Sequence, residues 1–178
     1  CTSQNVRVIE ELDNGFTLIE TYSSTFHDNS VDAWNMLIQG YVKSSNLRTR
    51  KVNEKYHIVV DKLTQKLYLF RNGELYDVLQ VSTGLANEKQ PYNETRSGEF
   101  LLHSWVGAIV SDDVVGRLAI RFNDGDLLHE VPYSLMSDGK TRDFSAADRK
   151  LGARASHGCI RVQRKQTPFS LARGISSS

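Results

Sequence analysis

The sequence has few cysteines, few prolines and almost no excess of charge of either sign. Its 178 residues include 2 cysteines and 3 prolines, and 22 basic residues against 21 acidic ones leave a net charge of +1. This balance gives no indication of a nucleic-acid partner, which a strongly basic surface would favour. The sequence contains no run of about 18 apolar residues, so it predicts no transmembrane segment, and no export signal is visible at its start.

The residues that are present are typical of a globular protein. Apolar residues make up 39% and charged residues 24% of the chain, which suits one ordinary domain with a small second one. Short apolar segments alternate with turn signals and predict a mostly β fold. The clearest are strands over 56–61 and 67–70, followed by a hairpin turn at Asn72-Gly73. Segments 101–105 and 118–122 are predicted to complete the sheet.

The first 50 residues predict a small β module. Apolar segments at 6–9 and 16–19 flank the turn signal Asn14-Gly15, and a third segment covers 34–42. Their order resembles a bacterial SH3-type barrel that begins part-way into the module, although a generic β-hairpin domain has similar turns. We therefore expect a partial SH3-like module over residues 1–50 and a second domain over 51–178.

The segment 156–162, Ser-His-Gly-Cys-Ile-Arg-Val, carries the strongest chemical signal. A nucleophilic thiol needs a neighbour that lowers its pKa or removes its proton, and histidine is the usual base. His157 lies two residues before Cys159, so on a strand the two share a face without meeting in line. The general base can therefore be a histidine from another part of the chain. Gly158 leaves room for a substrate beside backbone N–H donors. The alternative is a structural cysteine beside a core histidine.

The Ser-His-Gly-Cys sequence followed by an apolar residue resembles the active-site signature of the L,D-transpeptidases, the YkuD-type cell-wall enzymes. The resemblance extends from Lys55 to Val162. It implies a β-sandwich or barrel-like catalytic domain in which Cys159 is the nucleophile. It also implies a second histidine as the base, and the matching residue is His129 in the segment Leu-Leu-His-Glu-Val-Pro-Tyr. His103 is a competing base, but it lacks the Pro-Tyr segment that follows His129.

The resemblance assigns supporting roles within the motif. The amides of His157, Gly158 and Cys159 are expected to form an oxyanion hole. The Ser156 hydroxyl and the His157 imidazole are expected to hold the loop by hydrogen bonds.

Four residues are expected to contact the substrate. Guanidinium groups bind carboxylates at two points, which makes Arg161, where many relatives carry asparagine, and Arg121 candidates for an acidic peptide. Ser156 in the motif and Tyr133 in the Pro-Tyr segment complete this set.

The 26 residues from Glu130 to Ala155 exceed the common family spacing between His129 and the motif. A polar stretch with a turn signal at Ser137-Asp138-Gly139 predicts an inserted surface loop beside a cleft. A zinc site of His129, His157 and Cys159 is conceivable by ligand type, but it leaves Gly158 unexplained. We expect no metal and no cofactor.

The two cysteines predict no disulfide, because a nucleophilic Cys159 must stay reduced. Cys1 is expected to be an interior position of a longer protein and not the lipid-carrying start of a lipoprotein. The segment 171–178 ends before the helix and last strand that relatives have, so either the catalytic domain is expected to be truncated or its tail to be altered. By resemblance, we expect an exported protein of the cell envelope.

The resemblance implies that the chain joins peptidoglycan stem peptides, one as donor and one as acceptor. Cys159 would form a thioester with a tetrapeptide stem, and an acceptor amine would resolve it into a 3-3 crosslink. Two alternatives stay open. A hydrolytic L,D-carboxypeptidase or cysteine peptidase would use water instead, and an inactive relative would only bind the wall.

Overall fold

The N-terminal part of the chain forms a three-stranded antiparallel sheet. In this computed structural model, which describes residues 4–27, 30–111, 113–123 and 125–164, the strands are β1 (Arg7–Glu11), β2 (Phe16–His27) and β3 (Ser30–Lys43), in the order β1-β2-β3. At the predicted Asn14-Gly15 turn, Gly15 has a φ of 83°, a conformation that favours glycine. The SH3-like assignment and the boundary near residue 50 stay predictions.

A seven-stranded sheet makes up most of the remaining structure. Its strands are β4 (Tyr56–Asp61), β5 (Lys66–Arg71), β6 (Glu74–Ser82), β7 (Ser104–Ser111), β8 (Val114–Arg121), β9 (Leu127–Glu130) and, after two short strands, β12 (Ile160–Val162). Their order across the sheet is β4-β5-β6-β12-β9-β8-β7. The mostly β fold class predicted from the sequence is therefore confirmed.

Between β9 and β12 the chain makes an excursion out of the sheet. It contains the short strands β10 (Ser134–Leu135) and β11 (Arg142–Asp143), paired with each other, and one helical turn, α1 (Ser145–Asp148). Most residues of this segment are exposed, and Gly139 has a φ of 65° in the predicted turn. The predicted surface loop is confirmed.

Strand β12 joins two three-stranded meanders into one sheet. On one side it pairs antiparallel with β6, where Val162 lies opposite Val81. On the other side it pairs parallel with β9, where Ile160 lies opposite Leu128 and Arg161 opposite His129. The pairing therefore brings the Ser-His-Gly-Cys motif beside the strand that carries His129.

Alternation along these strands separates a core face from a second face. Leu128, Ile160, Val162 and Val81 belong to one cluster of buried apolar side chains. Because successive residues of a strand point to opposite faces, His129 and Arg161 project from the other side of the sheet.

Candidate active site

His129 occupies a buried position at the end of β9. His129 is 4% exposed, and its Nδ1 lies 2.6 Å from the backbone oxygen of Glu130. A carbonyl oxygen only accepts hydrogen bonds, so Nδ1 carries the proton and donates it. In the neutral ring this assignment leaves a lone pair on Nε2.

The surroundings of His129 keep its imidazole neutral. Burial is the main cause that lowers the pKa of His129 from 6.5 to about 4; the hydrogen bond to Glu130 opposes this shift, and the positive charge of Arg161 contributes to it. At neutral pH the ring is therefore able to accept a proton at Nε2.

Gly116 in β8 makes room for this imidazole. A Cβ atom at Gly116 would lie 2.8 Å from Nδ1 of His129 and 3.0 Å from Cγ1 of Ile109. A larger residue at this position would therefore displace the ring or the strand. An isolated glycine in an apolar strand pattern is a known sign of close approach, so the sequence held a signal for Gly116 that our sequence analysis did not use.

Cys159 immediately precedes β12 and has a free, partly buried thiol. Burial is the largest effect on the pKa of this thiol and raises it, and the negative charge of Asp126 raises it further. A hydrogen bond from the Leu127 backbone and the charge of Arg161 act in the opposite direction. The resting group is therefore a protonated thiol that needs a base.

Arg161 acts electrostatically on both groups. It is the register partner of His129, and its charge acts on the pKa of both His129 and Cys159. Cys159 is two residues before Arg161 and so points to the same face of the sheet. The structure therefore brings together an imidazole, a thiol and a guanidinium group on the face opposite the core.

Ser156 holds the loop of the motif from inside. It is 2% exposed, and its Oγ donates to the Cys159 backbone oxygen at 2.5 Å. The Gly158 backbone N–H donates to the Ser156 Oγ at 3.3 Å. This geometry favours the predicted loop-holding role of Ser156 over its predicted contact with substrate, and it directs the Gly158 amide into the loop.

Two further segments fix the backbone of the motif. The N–H groups of Ala155 and Ser156 donate to the Thr83 oxygen at 2.8 and 3.0 Å. Thr95 donates from Oγ1 to the Gly158 oxygen at 2.7 Å and accepts from the Gly84 N–H at 2.8 Å. Both ends of the motif are therefore tied to neighbouring segments.

Gly158 is needed for the close approach of Asp126. Its φ is 126°, a conformation that favours glycine, and a Cβ atom at this position would overlap Oδ1 of Asp126. Burial raises the pKa of Asp126, while a hydrogen bond with Asn123 and the charge of Arg96 lower it. Nothing in the sequence around Asp126 indicates that it faces the motif, so it is not among the predicted site residues.

The remaining predicted site residues differ in exposure and in their position in the sheet. The side chain of His157 is exposed. Arg121 is half-buried and lies opposite Leu127, which places it on the face that carries His129. Tyr133 is 9% exposed; its ring centroid lies 5.2 Å from that of Phe144, so the inserted segment covers it.

His103 lies away from the motif. It is exposed, immediately precedes the edge strand β7, and its Nδ1 is 2.7 Å from the Ser104 Oγ. Two strands, β8 and β9, separate β7 from β12 in the sheet. The register therefore places His129, and not His103, on the strand next to Cys159.

Over the described residues, no three His, Cys, Asp or Glu side chains are grouped in a way that would hold a metal ion. The helices in this part of the chain are too short and too polar to cross a bilayer.

The sheet and the site define a mostly β protein with a thiol and a neutral imidazole on one face of its central strands. The family described as the L,D-transpeptidase catalytic domain, YkuD, matches residues 55–173. The chain belongs to this family.

Solved structures show the same fold at low sequence identity. An L,D-transpeptidase from Mycobacterium smegmatis is similar with a TM-score of 0.51 and 14% identity, over 89% of this chain. The matched region spans 62% of that protein's length. The L,D-transpeptidase LdtMt1, in complex with imipenem, gives a TM-score of 0.51 and 14% identity over 97% of this chain and 74% of that one. No curated protein sequence matches the chain.

Proposed function

We propose that the chain is a cysteine-dependent L,D-transpeptidase that acts on peptidoglycan tetrapeptide stems and forms 3-3 crosslinks in the cell envelope. Its family membership supports this proposal. The observation that carries it is the hydrogen bond from His129 Nδ1 to Glu130, which leaves Nε2 as a base on the face that Cys159 shares. The partners are then two stem peptides, a donor and an acceptor.

In the first step, Nε2 of His129 takes the proton of the Cys159 thiol as the sulfur attacks the carbonyl carbon of the third stem residue. The bond to the terminal D-alanine breaks, and its amine leaves with the proton from His129. The product is a thioester on Cys159. Arg161 stabilises the negative charge that passes from sulfur to the carbonyl oxygen.

We assign fewer backbone amides to the oxyanion than the three that the resemblance implies. The Gly158 N–H is directed at Ser156 within the loop. The amides of Cys159 and His157 are therefore the donors that we assign to the oxyanion. The exposure of the His157 side chain agrees with a role for its backbone and not for its imidazole.

In the second step, an amine of the acceptor stem attacks the thioester carbonyl, and His129 removes its proton. The carbon–sulfur bond breaks, and the thiolate recovers a proton from His129. Attack by water instead of the amine would give the hydrolytic L,D-carboxypeptidase or cysteine peptidase reaction. Arg121 and Arg161 are the groups that we assign to carboxylates of the stems.

The test is intact-mass measurement of the protein after incubation with a synthetic tetrapeptide stem. The wild type is expected to gain the mass of the acyl group, and Cys159→Ala to gain none. Cys1→Ala, which removes the other cysteine, is the matched control and is expected to keep the adduct. His129→Ala is expected to slow acylation by about 10²–10⁴-fold with the fold retained.

The outcomes separate the alternatives. An adduct that persists in Cys159→Ala would exclude Cys159 as the nucleophile, and unchanged acylation kinetics in His129→Ala would exclude His129 as the base. Products analysed with and without an acceptor amine distinguish crosslinking from hydrolysis. A folded wild type that a carbapenem does not acylate would indicate an inactive wall-binding protein.

A further inference from the structure

The N-terminal sheet contacts the seven-stranded domain at the loop of residues 94–97. Asn35 in β3 donates from Nδ2 to the Thr95 oxygen at 3.1 Å, and its Oδ1 accepts from the Ser97 N–H at 3.1 Å. Asn35 has a φ of 56°, which asparagine tolerates better than most residues. One side chain thus binds the loop backbone at two points, on both sides of Arg96.

Arg96 itself packs on the N-terminal sheet. Its guanidinium carbon lies 4.4 Å from the ring centroid of Trp34, the residue before Asn35. At this distance the ring face attracts the cation and limits its positions. Trp34 and Asn35 together therefore fix both the backbone and the charged side chain of the loop.

The same loop reaches the motif by two routes. Thr95 donates a buried hydrogen bond to the Gly158 oxygen at 2.7 Å. The positive charge of Arg96 acts on Asp126, and Asp126 lies against Gly158 and acts on Cys159. The N-terminal sheet is therefore two contacts from Gly158, the residue before Cys159, along the first route and three contacts from the thiol along the second.

We propose that Trp34 and Asn35 are positioning residues for Cys159, and that the N-terminal sheet completes the active site by holding Thr95 and Arg96 in place. The inference rests on the proposed function only in taking Cys159 as the nucleophile. It assigns the N-terminal residues a role in the reaction that is separate from any binding to the cell wall.

The charges around the thiol predict the direction in which each substitution shifts the pKa of Cys159. Among the described residues, the charges of Asp126, from the turn before β9, and of Arg161, from β12, act on Cys159, and His129 lies on the neighbouring strand β9. Arg96 offsets the negative charge of Asp126. Displacing Arg96 is therefore expected to raise the pKa of the thiol, and removing the charge of Asp126 to lower it.

The experiment measures alkylation of Cys159 by iodoacetamide as a function of pH, in the full chain. Trypsin releases the peptide 155–161, whose modification is quantified separately from that of Cys1. Below the thiol pKa, Trp34→Ala and Arg96→Gln are expected to react about twofold to tenfold more slowly than wild type, since one pKa unit changes the thiolate fraction tenfold. Asp126→Asn is expected to react faster.

Two controls separate positioning from stability. Trp34→Phe keeps an aromatic face under Arg96 and is expected to restore the wild-type profile. Tyr41→Ala removes an aromatic side chain from the same strand at a position that is 61% exposed, and it is expected to leave the profile unchanged. If Trp34→Ala fails to fold, Asn35→Ala, which removes both hydrogen bonds from the N-terminal sheet to the loop, tests the same role.

The inference is overturned if Trp34→Ala and Arg96→Gln give profiles that superimpose on the wild type, or if Tyr41→Ala shifts the profile equally. Alkylation needs no stem peptide, so this result does not depend on the enzyme's substrate. A wild type that alkylates normally but forms no acyl-enzyme would contradict the proposed function and leave the inference standing.

Discussion

On one face of β9 and β12 lie Leu128, Ile160 and Val162, and on the other lie His129 and Arg161. The first group is packed into the apolar core, whereas the second lies on the face that Cys159 shares. The residues alternate one by one along the same two strands. The apolar core and the candidate active site therefore share one backbone, while their side chains lie on opposite faces of the sheet and are chemically separate.

Among the predicted changes, a substitution in the apolar core is expected to lower the free energy of unfolding most. Leu79→Ala removes a side chain that is 1% exposed, and its free energy of unfolding is expected to fall by about 2–5 kcal/mol. Denaturant unfolding measures this loss. Leu75→Ala, on the same strand but 55% exposed, is the matched control and is expected to change stability little.

Measuring Cys159 alkylation in the same variants tests whether the two faces are chemically separate. Where Leu79→Ala is still folded, the pH profile of Cys159 alkylation is expected to match the wild type. A shifted profile would show that the two faces are not chemically separate.

Acid is expected to destabilise the second face through His129. Its pKa is about 4 in the folded protein against 6.5 ordinarily, so between these values the unfolded chain binds a proton that the folded protein excludes. Stability therefore falls as pH drops through this window and is constant for this group above it, with a total change of about 3 kcal/mol.

The measurement is the free energy of unfolding between pH 7 and pH 4. His129→Gln is expected to lose the part of the slope that His129 contributes. His57→Gln, at an exposed histidine of β4, is the control and should keep it. An identical slope in wild type and His129→Gln would contradict burial of a neutral imidazole.

A smaller loss of stability is expected from a substitution at Gly116 in β8, which packs against His129. Gly116→Ala places a Cβ atom against His129, and such overpacking costs about 1–3 kcal/mol. The displaced imidazole should also slow acylation of Cys159. Gly40→Ala is the control, because a Cβ atom at Gly40 meets nothing within 4 Å. Equal acylation rates in these two variants would remove Gly116 from the site.

Local pattern predicted the regular strands well. The strand predicted over 56–61 coincides with β4, and the hairpin at Asn72-Gly73 has φ values of 52° and 82° at its two residues. The strand predicted over 101–105 is wrong at its start, because β7 begins at Ser104. Leu102 packs against the core without belonging to a strand, and apolarity alone does not distinguish these two states.

The site was predictable only where a motif marks it. Cys159 and His129 were identified from their surrounding segments, and β12 pairing with β9 brings those segments together. Asp126, Thr95 and Trp34 carry no such local sign. Their importance comes from contacts between residues far apart in sequence, which periodicity and turn signals do not encode.

Strand β12 also determines when the seven-stranded sheet becomes complete during synthesis. The meanders β4-β5-β6 and β7-β8-β9 each form from neighbouring segments, but the strand that joins them is made only when the ribosome reaches residue 162. Contacts that span so much sequence form late, since loop closure precedes them. Cys159 is therefore held beside β9 only after β12 has paired with both halves of the sheet.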